Sequence, residues 1–313
     1  MENAGNHASS GKKPGKANRI RTLRNDRIFY TLVTIGLAIF TLLILLPLIN
    51  IVASSFSGVE AVRTGKVILW PVSPSLEGYK AVFEYPGIMR SYANTFYYTI
   101  LGTAINLVMT MSCAYALSFN DLPFHSFFTT LFMFTMYFGG GIVPDYLLAR
   151  ELGILDTTWA MVIPSAMSIY NMIVARTFIR SIPDEIREAA TIDGCSDFVY
   201  FFRMVLPLSG TVLAVLALYY AVGHWNSYFT AFLYLKSESK LPLQLTLRAI
   251  LIKNSIDLTN LVGVDPEALL LQQDMSDLLK YSLIVVSSVP ILCLYPFVKK
   301  YFMKGIMIGA VKG

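Results

Sequence analysis

Six stretches of this chain are each about as long and as apolar as the hydrocarbon core of a bilayer requires. A helix that crosses that core needs about 20 mostly apolar residues. The stretches run over about residues 28–56, 92–119, 124–143, 158–178, 204–223 and 279–302, the first interrupted only by Pro47. Composition leaves no soluble alternative. Of 313 residues, 55% are hydrophobic and only 14% charged, against about a quarter charged in a soluble domain. The first stretch is longer than the apolar region of a cleaved leader, and no small-residue cleavage site ends it. The expected fold is therefore an all-α integral membrane protein with six transmembrane helices.

Charge at the ends sets the expected orientation. Lys12, Lys13, Lys16, Arg19, Arg21, Arg24 and Arg27 precede the first stretch, and Lys299, Lys300, Lys304 and Lys312 close or follow the last. Short basic flanks stay on the cytoplasmic side, so both termini are expected in the cytoplasm, as an even number of spans allows. A basic lead of this kind could also meet nucleic acid, but beside a span it reads as a topology signal, and no nucleic acid partner is expected. Residues 1–27 form a basic tail and 28–313 the membrane domain. The inside connections are then about 119–124 and 179–203, and the outside ones about 57–91, 144–157 and 224–278.

The membrane segments lack what most energised machines need. No carboxylate relay or arginine ladder stands inside them, as a coupled carrier or voltage sensor requires. The phosphate-binding Gly-x-x-x-x-Gly-Lys-Ser/Thr loop is absent, and so are the Gly-x-Ser-x-Gly and His-Glu-x-x-His motifs of hydrolases. Three cysteines, Cys113, Cys195 and Cys293, make no disulfide framework, and three histidines show no metal-ligand spacing. No catalytic residue, metal or cofactor is expected on this chain. A stand-alone channel or a membrane enzyme remains an alternative, but charged filter rings and a catalytic constellation are both missing.

The inside connection 179–203 carries the most information. Ser181 can cap a helix, Pro183 suits its first turn, and Asp184 and Glu185 favour the positive end of its dipole. Gly194 can supply the left-handed residue that stops it. Ser196-Asp197 then starts a second short helix, about Phe198 to Met204, that leads into Leu206-Pro207. The pair of helices, about 182–202, could rest on lipid headgroups. Alternatively, Ala189 and Ala190 beside Glu188 permit close approach by another protein surface.

Glu188-Ala189-Ala190, three residues, Gly194, nine residues, Met204, one residue, Leu206-Pro207 resembles the EAA signature of binding-protein-dependent ABC importer permeases. Met204 stands where that family usually has isoleucine, a volume-conserving change, and Asp193 fits the version found in sugar importers. Ala114-Tyr115-Ala116-Leu117-Ser118 resembles another motif of the family. Gly139-Gly140-Gly141-Ile142-Val143-Pro144, Gly223-His224-Trp225-Asn226-Ser227-Tyr228 and the tail from Lys304 to Gly313 are similar to its oligosaccharide and polysaccharide subgroup. The resemblance covers roughly residues 28–313.

It implies a MetI-like type I importer fold in a bacterial cell membrane. It implies a second homologous permease as heterodimer partner, two ATPase subunits that bind ATP and Mg2+, an extracytoplasmic solute-binding protein and a saccharide substrate, in contact with membrane lipid. Glu188, Ala189, Ala190, Asp193, Gly194, Met204, Leu206 and Pro207 would then couple to the ATPase. An importer of the same family for a non-sugar solute is the alternative.

Sugar sites combine stacking aromatics with amides and hydroxyls. Tyr219, Tyr220, His224, Trp225, Asn226 and Tyr228 cluster at the outer end of the fifth stretch, as an interfacial belt or a pathway lining. Tyr170 and Asn171 lie in the fourth, where an amide faces a neighbouring helix or a cavity, and Asn106 lies in the second. By the resemblance, Leu241, Pro242, Leu243 and Gln244 would face the binding protein. A helix from about Asp265 to Lys280 is expected beyond them.

Overall fold

A computed structural model describes residues 24–256, 278–296 and 299. The helix expected from about Asp265 lies outside the described residues except for its last three. No strand occurs among the described residues, only an isolated bridge between Ser57 and Pro74. Among the described residues, fifteen α-helices follow one another: α1 Arg24–Ser55, α2 Val59–Arg63, α3 Glu77–Glu84, α4 Ile88–Ala116, α5 His125–Tyr137, α6 Ile142–Glu151, α7 Thr158–Val162, α8 Ile169–Ile179, α9 Asp184–Ile192, α10 Asp197–Tyr200, α11 Leu206–Leu208, α12 Gly210–Trp225, α13 Tyr228–Tyr234, α14 Leu243–Ile256 and α15 Leu278–Pro296.

The chain divides into two compact units at Ile49/Asn50. The described part of the first is the run of α1 up to Ile49. It is apolar on every face, with Leu32, Phe40 and Leu43 all more than half exposed. A helix apolar all round belongs in hydrocarbon or in a core. The second unit is a bundle centred on α4, which packs against α8 and α12. Its largest core cluster joins Met111 and Ala114 of α4, Met172, Ala175 and Ile179 of α8, and Val212 and Leu216 of α12.

Among the described residues, three helices are long and apolar enough to cross a membrane: α1, α4 and α15. Three bent pairs bring the number of candidate spans to six: α5 with α6, bent by 117°, α7 with α8, bent by 55°, and the segment Asp197–Leu208 with α12, bent by 80°. Each break has a local cause. Gly139, Gly140 and Gly141 separate α5 from α6, with Gly141 at φ +90°, a conformation that L side chains rarely adopt. Thus the third apolar run, 124–143, holds a helix that stops at Tyr137. Pro164 follows α7 within a 3-10 turn, Ile163–Ser165, since proline offers no N–H to continue a helix. Before α12 come a single π-helical turn, Phe201–Val205, and the Leu206-Pro207-Leu208 turn. The fifth run is therefore split, with a bend at Ser209 and its long helix starting only at Gly210, later than its apolar start at Met204.

The stretch 224–278, expected as one long connection, carries α13 and α14 within its described part. It is fastened to α4. Asn94 Nδ2 donates to the carbonyls of Ser239 (2.9 Å) and Leu241 (3.1 Å), and the Tyr98 hydroxyl donates to Lys240 O (2.9 Å). Thr95 Oγ1 accepts from the Leu243 N–H at 2.7 Å, capping the start of α14. Asp156, at φ +55°, accepts from the backbone N–H groups of Lys236 and Ser237, both at 3.0 Å, and from the Ser237 hydroxyl. These donors hold its carboxyl well below the usual carboxylate range, and Lys240 Nζ, 3.3 Å away, adds to the effect.

Candidate functional site

Two regions of the bundle carry most of the residues singled out above. The first is the α9 end. Asp184 and Glu185 occupy the first turn of α9. Pro183 stands at its cap, and Ser181 does not cap it: the Ser181 hydroxyl turns back to donate to Phe178 O at 2.6 Å. Gly194 adopts φ +73°, and the Cys195 N–H reaches back to Ala190 O at 2.9 Å. This left-handed glycine ends α9 as the spacing requires. Ser196 caps α10 by accepting from the Val199 N–H at 3.4 Å.

Glu188, Ala189 and Asp193 are exposed, whereas Ala190 is buried against the core. The motif helix thus lays one small residue inward and presents its acid and a second small residue outward. Met204 and Pro207 are exposed, and Leu206 is half-buried. Ile192 is 86% exposed and Phe198 72%, and the Phe198 and Phe202 rings lie 4.7 Å apart, so the α9–α10 surface is markedly apolar. Exposed apolar patches of this kind mark interaction sites. Ile192, Phe198 and Phe202 were not singled out by sequence, because an apolar residue in an apolar chain carries no flag.

The second region is a cleft of about 390 Å³ between α12, α13 and the break between α7 and α8. Tyr219, Tyr220, His224 and Asn226 line it, with Ser165 and Ser168 opposite. Its floor is a polar network. Asn106 Nδ2 donates to Ser165 O, so Asn106 Oδ1 is the acceptor for His224 Nε2 at 2.7 Å. That assigns the imidazole proton to Nε2 and leaves Nδ1 as an acceptor. The Tyr220 hydroxyl accepts from the Ser168 N–H at 3.1 Å and lies 2.6 Å from Thr110 Oγ1. Two side chains, one from α4 and one from α12, thus satisfy backbone groups freed by the break, as a membrane interior demands. Ser165 and Ser168 were missed in the sequence, although Pro164 beside them was the available signal.

Other expected residues lie elsewhere. Trp225 is 3% exposed, donates from Nε1 to Ser287 O of α15 at 3.0 Å, and meets the Phe96 ring edge-on at 5.2 Å. It ties α12 to α15 and does not line the cleft. Tyr228 sits 5.1 Å beneath the Arg248 guanidinium. Tyr170 is exposed, and Asn171 is buried on the inner face of α8. Of the four residues expected to face an external partner, Pro242 and Leu243 are buried. Leu241 and Gln244 are half-buried.

Comparison with known proteins settles the family. The model of the binding-protein-dependent transport system inner membrane component matches residues 120–307, more than half of the chain. The chain belongs to this family. This inner membrane component is a transport subunit, not an enzyme, and the family implies a partner permease, an ATPase and a substrate-binding protein. It is 38% identical over 298 residues to the polygalacturonan/rhamnogalacturonan transport system permease protein YtcP of Bacillus subtilis, covering 92% of this chain and 99% of that one. It is also 38% identical over 273 residues to protein LplC of the same organism, covering 86% and 90%. Among solved structures, a bacterial ABC transporter involved in the import of the acidic polysaccharide alginate matches with a TM-score of 0.80 and 34% identity, over 90% of this chain and 98% of that one.

Proposed function

We propose that this chain is the permease subunit of an ATP-driven importer that takes an oligosaccharide or polysaccharide fragment from an extracytoplasmic solute-binding protein into the cytoplasm. The observation that carries the substrate class is the 38% identity, across 92% of the chain, with a permease named for polygalacturonan and rhamnogalacturonan transport. The chain pairs with a second homologous permease. Two separate ATPase subunits bind ATP and Mg2+ and hydrolyse the nucleotide. Both termini and the α9 end face the cytoplasm, as the basic flanks favour.

In this reading the α9–Gly194–α10 unit docks on the ATPase. Exposed Glu188 offers a charge-assisted contact, Ala189 allows close approach, and Gly194 sets the angle between the two helices. Asp193, Met204, Leu206 and Pro207 complete the connection to α12, while Ala190 anchors α9 to the bundle. The saccharide passes the cleft between Tyr219, Tyr220, His224 and Asn226 on one side and Ser165 and Ser168 on the other. Aromatic faces with hydroxyl and amide groups suit a sugar. Gln244 lies on the face turned toward the binding protein.

The test is reconstitution of the co-expressed complex in vesicles with its binding protein, and uptake of labelled oligosaccharides against a peptide and phosphate. ATP-dependent uptake of a saccharide alone is expected. Glu188→Lys and Gly194→Pro should each abolish it while the chain still inserts, because one reverses the docking charge and the other locks φ near −65°. Uptake of peptide or phosphate alone refutes the substrate class, and wild-type import by both variants refutes the coupling role.

A further inference from the structure

The short connection between α4 and α5, residues 117–124, together with the end of α4, is held to the α9–α10 unit and to the end of α8 by a set of side chains that the EAA signature does not include. The Arg187 guanidinium lies 3.8 Å from the centre of the Phe119 ring, and its other flank is 3.9 Å from Asp197 of α10. Arg180 Nε donates to Ser118 O at 3.1 Å, and its terminal nitrogen donates to Asn120 Oδ1. Tyr115 stands between them. Its ring is 4.8 Å from both Phe119 and Phe201, and its hydroxyl donates to Asp197 O at 3.3 Å.

We infer that Arg187 and Phe119 form a brace that carries displacement of the α9–α10 unit directly into α4. This rests on the proposed docking of α9 on an ATPase. By the chain alone, α9 is linked only to α8 before it and to the α11–α12 segment after it. Without the brace, a push on α9 would reach α4 only through helix packing, which can slide, and through the single Tyr115–Asp197 hydrogen bond. With it, the push meets a cation seated on a ring face, and an aromatic cluster rooted in α4. That helix packs against α7, α8, α12 and α14, so a displacement delivered to it reaches the walls of the polar cleft. Arg187 lies on the same helix as Glu188 yet is half-buried against the Phe119 ring, while Glu188 is exposed. One helix thus presents one face to a partner and another to the bundle, which suits a transmitting element. Arg187 and Phe119 are positioning residues and touch neither nucleotide nor sugar.

The experiment measures saccharide imported per ATP hydrolysed by the complete reconstituted complex, together with the ATPase recovered on the tagged chain. Arg187→Ala and Phe119→Leu should each lower import per ATP by about five- to thirty-fold, the range for one partly desolvated cation–ring contact. ATPase recovery should remain at the wild-type level, since the docking face is untouched. Arg187→Lys, which keeps a cation over the ring, should restore most of the ratio. The double variant should be no worse than either single one, because both remove the same contact. A wild-type ratio in Phe119→Leu, or fully additive losses in the double variant, overturns the brace. Should Arg187→Ala assemble poorly, the Phe119→Leu ratio decides by itself. Failure of the wild-type chain to recover any ATPase instead overturns the docking reading, and the brace with it.

Discussion

Replacing Gly102 with alanine should destabilise the bundle strongly. Gly102 lies in α4 against the His224 imidazole, and a Cβ there would stand 2.5 Å from Cε1 and 2.7 Å from Cδ2. The ring cannot yield cheaply, because His224 is 5% exposed and its Nε2–H is engaged by Asn106. Forcing extra volume into a packed core costs about 1–3 kcal/mol. Pulling the imidazole from Asn106 leaves buried polar atoms unpaired, for about 1–3 kcal/mol more. Partial relaxation brings the expected loss to about 2–4 kcal/mol. The assay is denaturant-induced unfolding of the purified protein in detergent. Gly223→Ala is the control: nothing lies within 4 Å of its added Cβ, so helix propensity should make it neutral or stabilising by up to about 1 kcal/mol. In a His224→Ala background, where the colliding ring is gone, Gly102→Ala should approach that control. An equal cost in both backgrounds, or no cost in either, would refute the steric account.

Three further outcomes are expected. Trp225→Phe should lose about 1–2 kcal/mol of stability through the Ser287 hydrogen bond and the smaller ring, with uptake by assembled complex little changed; the reverse pattern would make Trp225 a sugar contact. Asp156→Asn should speed hydrogen exchange at the Lys236 and Ser237 amides. Because the folded carboxyl sits below its ordinary value, its contribution is full above that value and is lost only as pH falls through the depressed one, so wild-type protection corrected for intrinsic exchange should be flat from about pH 5 to 8; a loss within that window would contradict the latch. In a Cys113→Ser, Cys293→Ser background, a membrane-impermeant thiol reagent applied to intact cells should leave Cys195 unmodified, and labelling from outside would reverse the proposed topology.

The helical class and the apolar runs were legible because both depend on residues close in sequence. Gly194 was legible for the same reason: a left-handed stop between two short helices is a local requirement, and φ +73° meets it. The cap was read less well. Ser181 had the right chemistry, but a serine hydroxyl in a final helical turn can equally bond backward, and Phe178 O lies within reach. The cleft was half legible. Tyr219, Tyr220, His224 and Asn226 stood out as polar or aromatic groups at one helix end, whereas Ser165 and Ser168 enter only because the chain breaks at Pro164 and folds them across. Trp225 and Asn226 are sequence neighbours with opposite fates, since about 100° of rotation per residue turns one into the α15 contact and the other to the surface.

By itself the sequence determined what local chemistry can: how many stretches are long enough for a bilayer, where charge gathers, and which short segment has the spacing of the EAA signature. The tertiary structure alone decided which polar groups hold broken helices together. The Asn106 amide and the Tyr220 hydroxyl do so because backbone groups of Ser165 and Ser168, about 50 to 60 positions away in the chain, lack partners in their own helices. A buried donor or acceptor must be satisfied by whatever the fold brings beside it. That neighbour is a property of packing, and no window of sequence contains it.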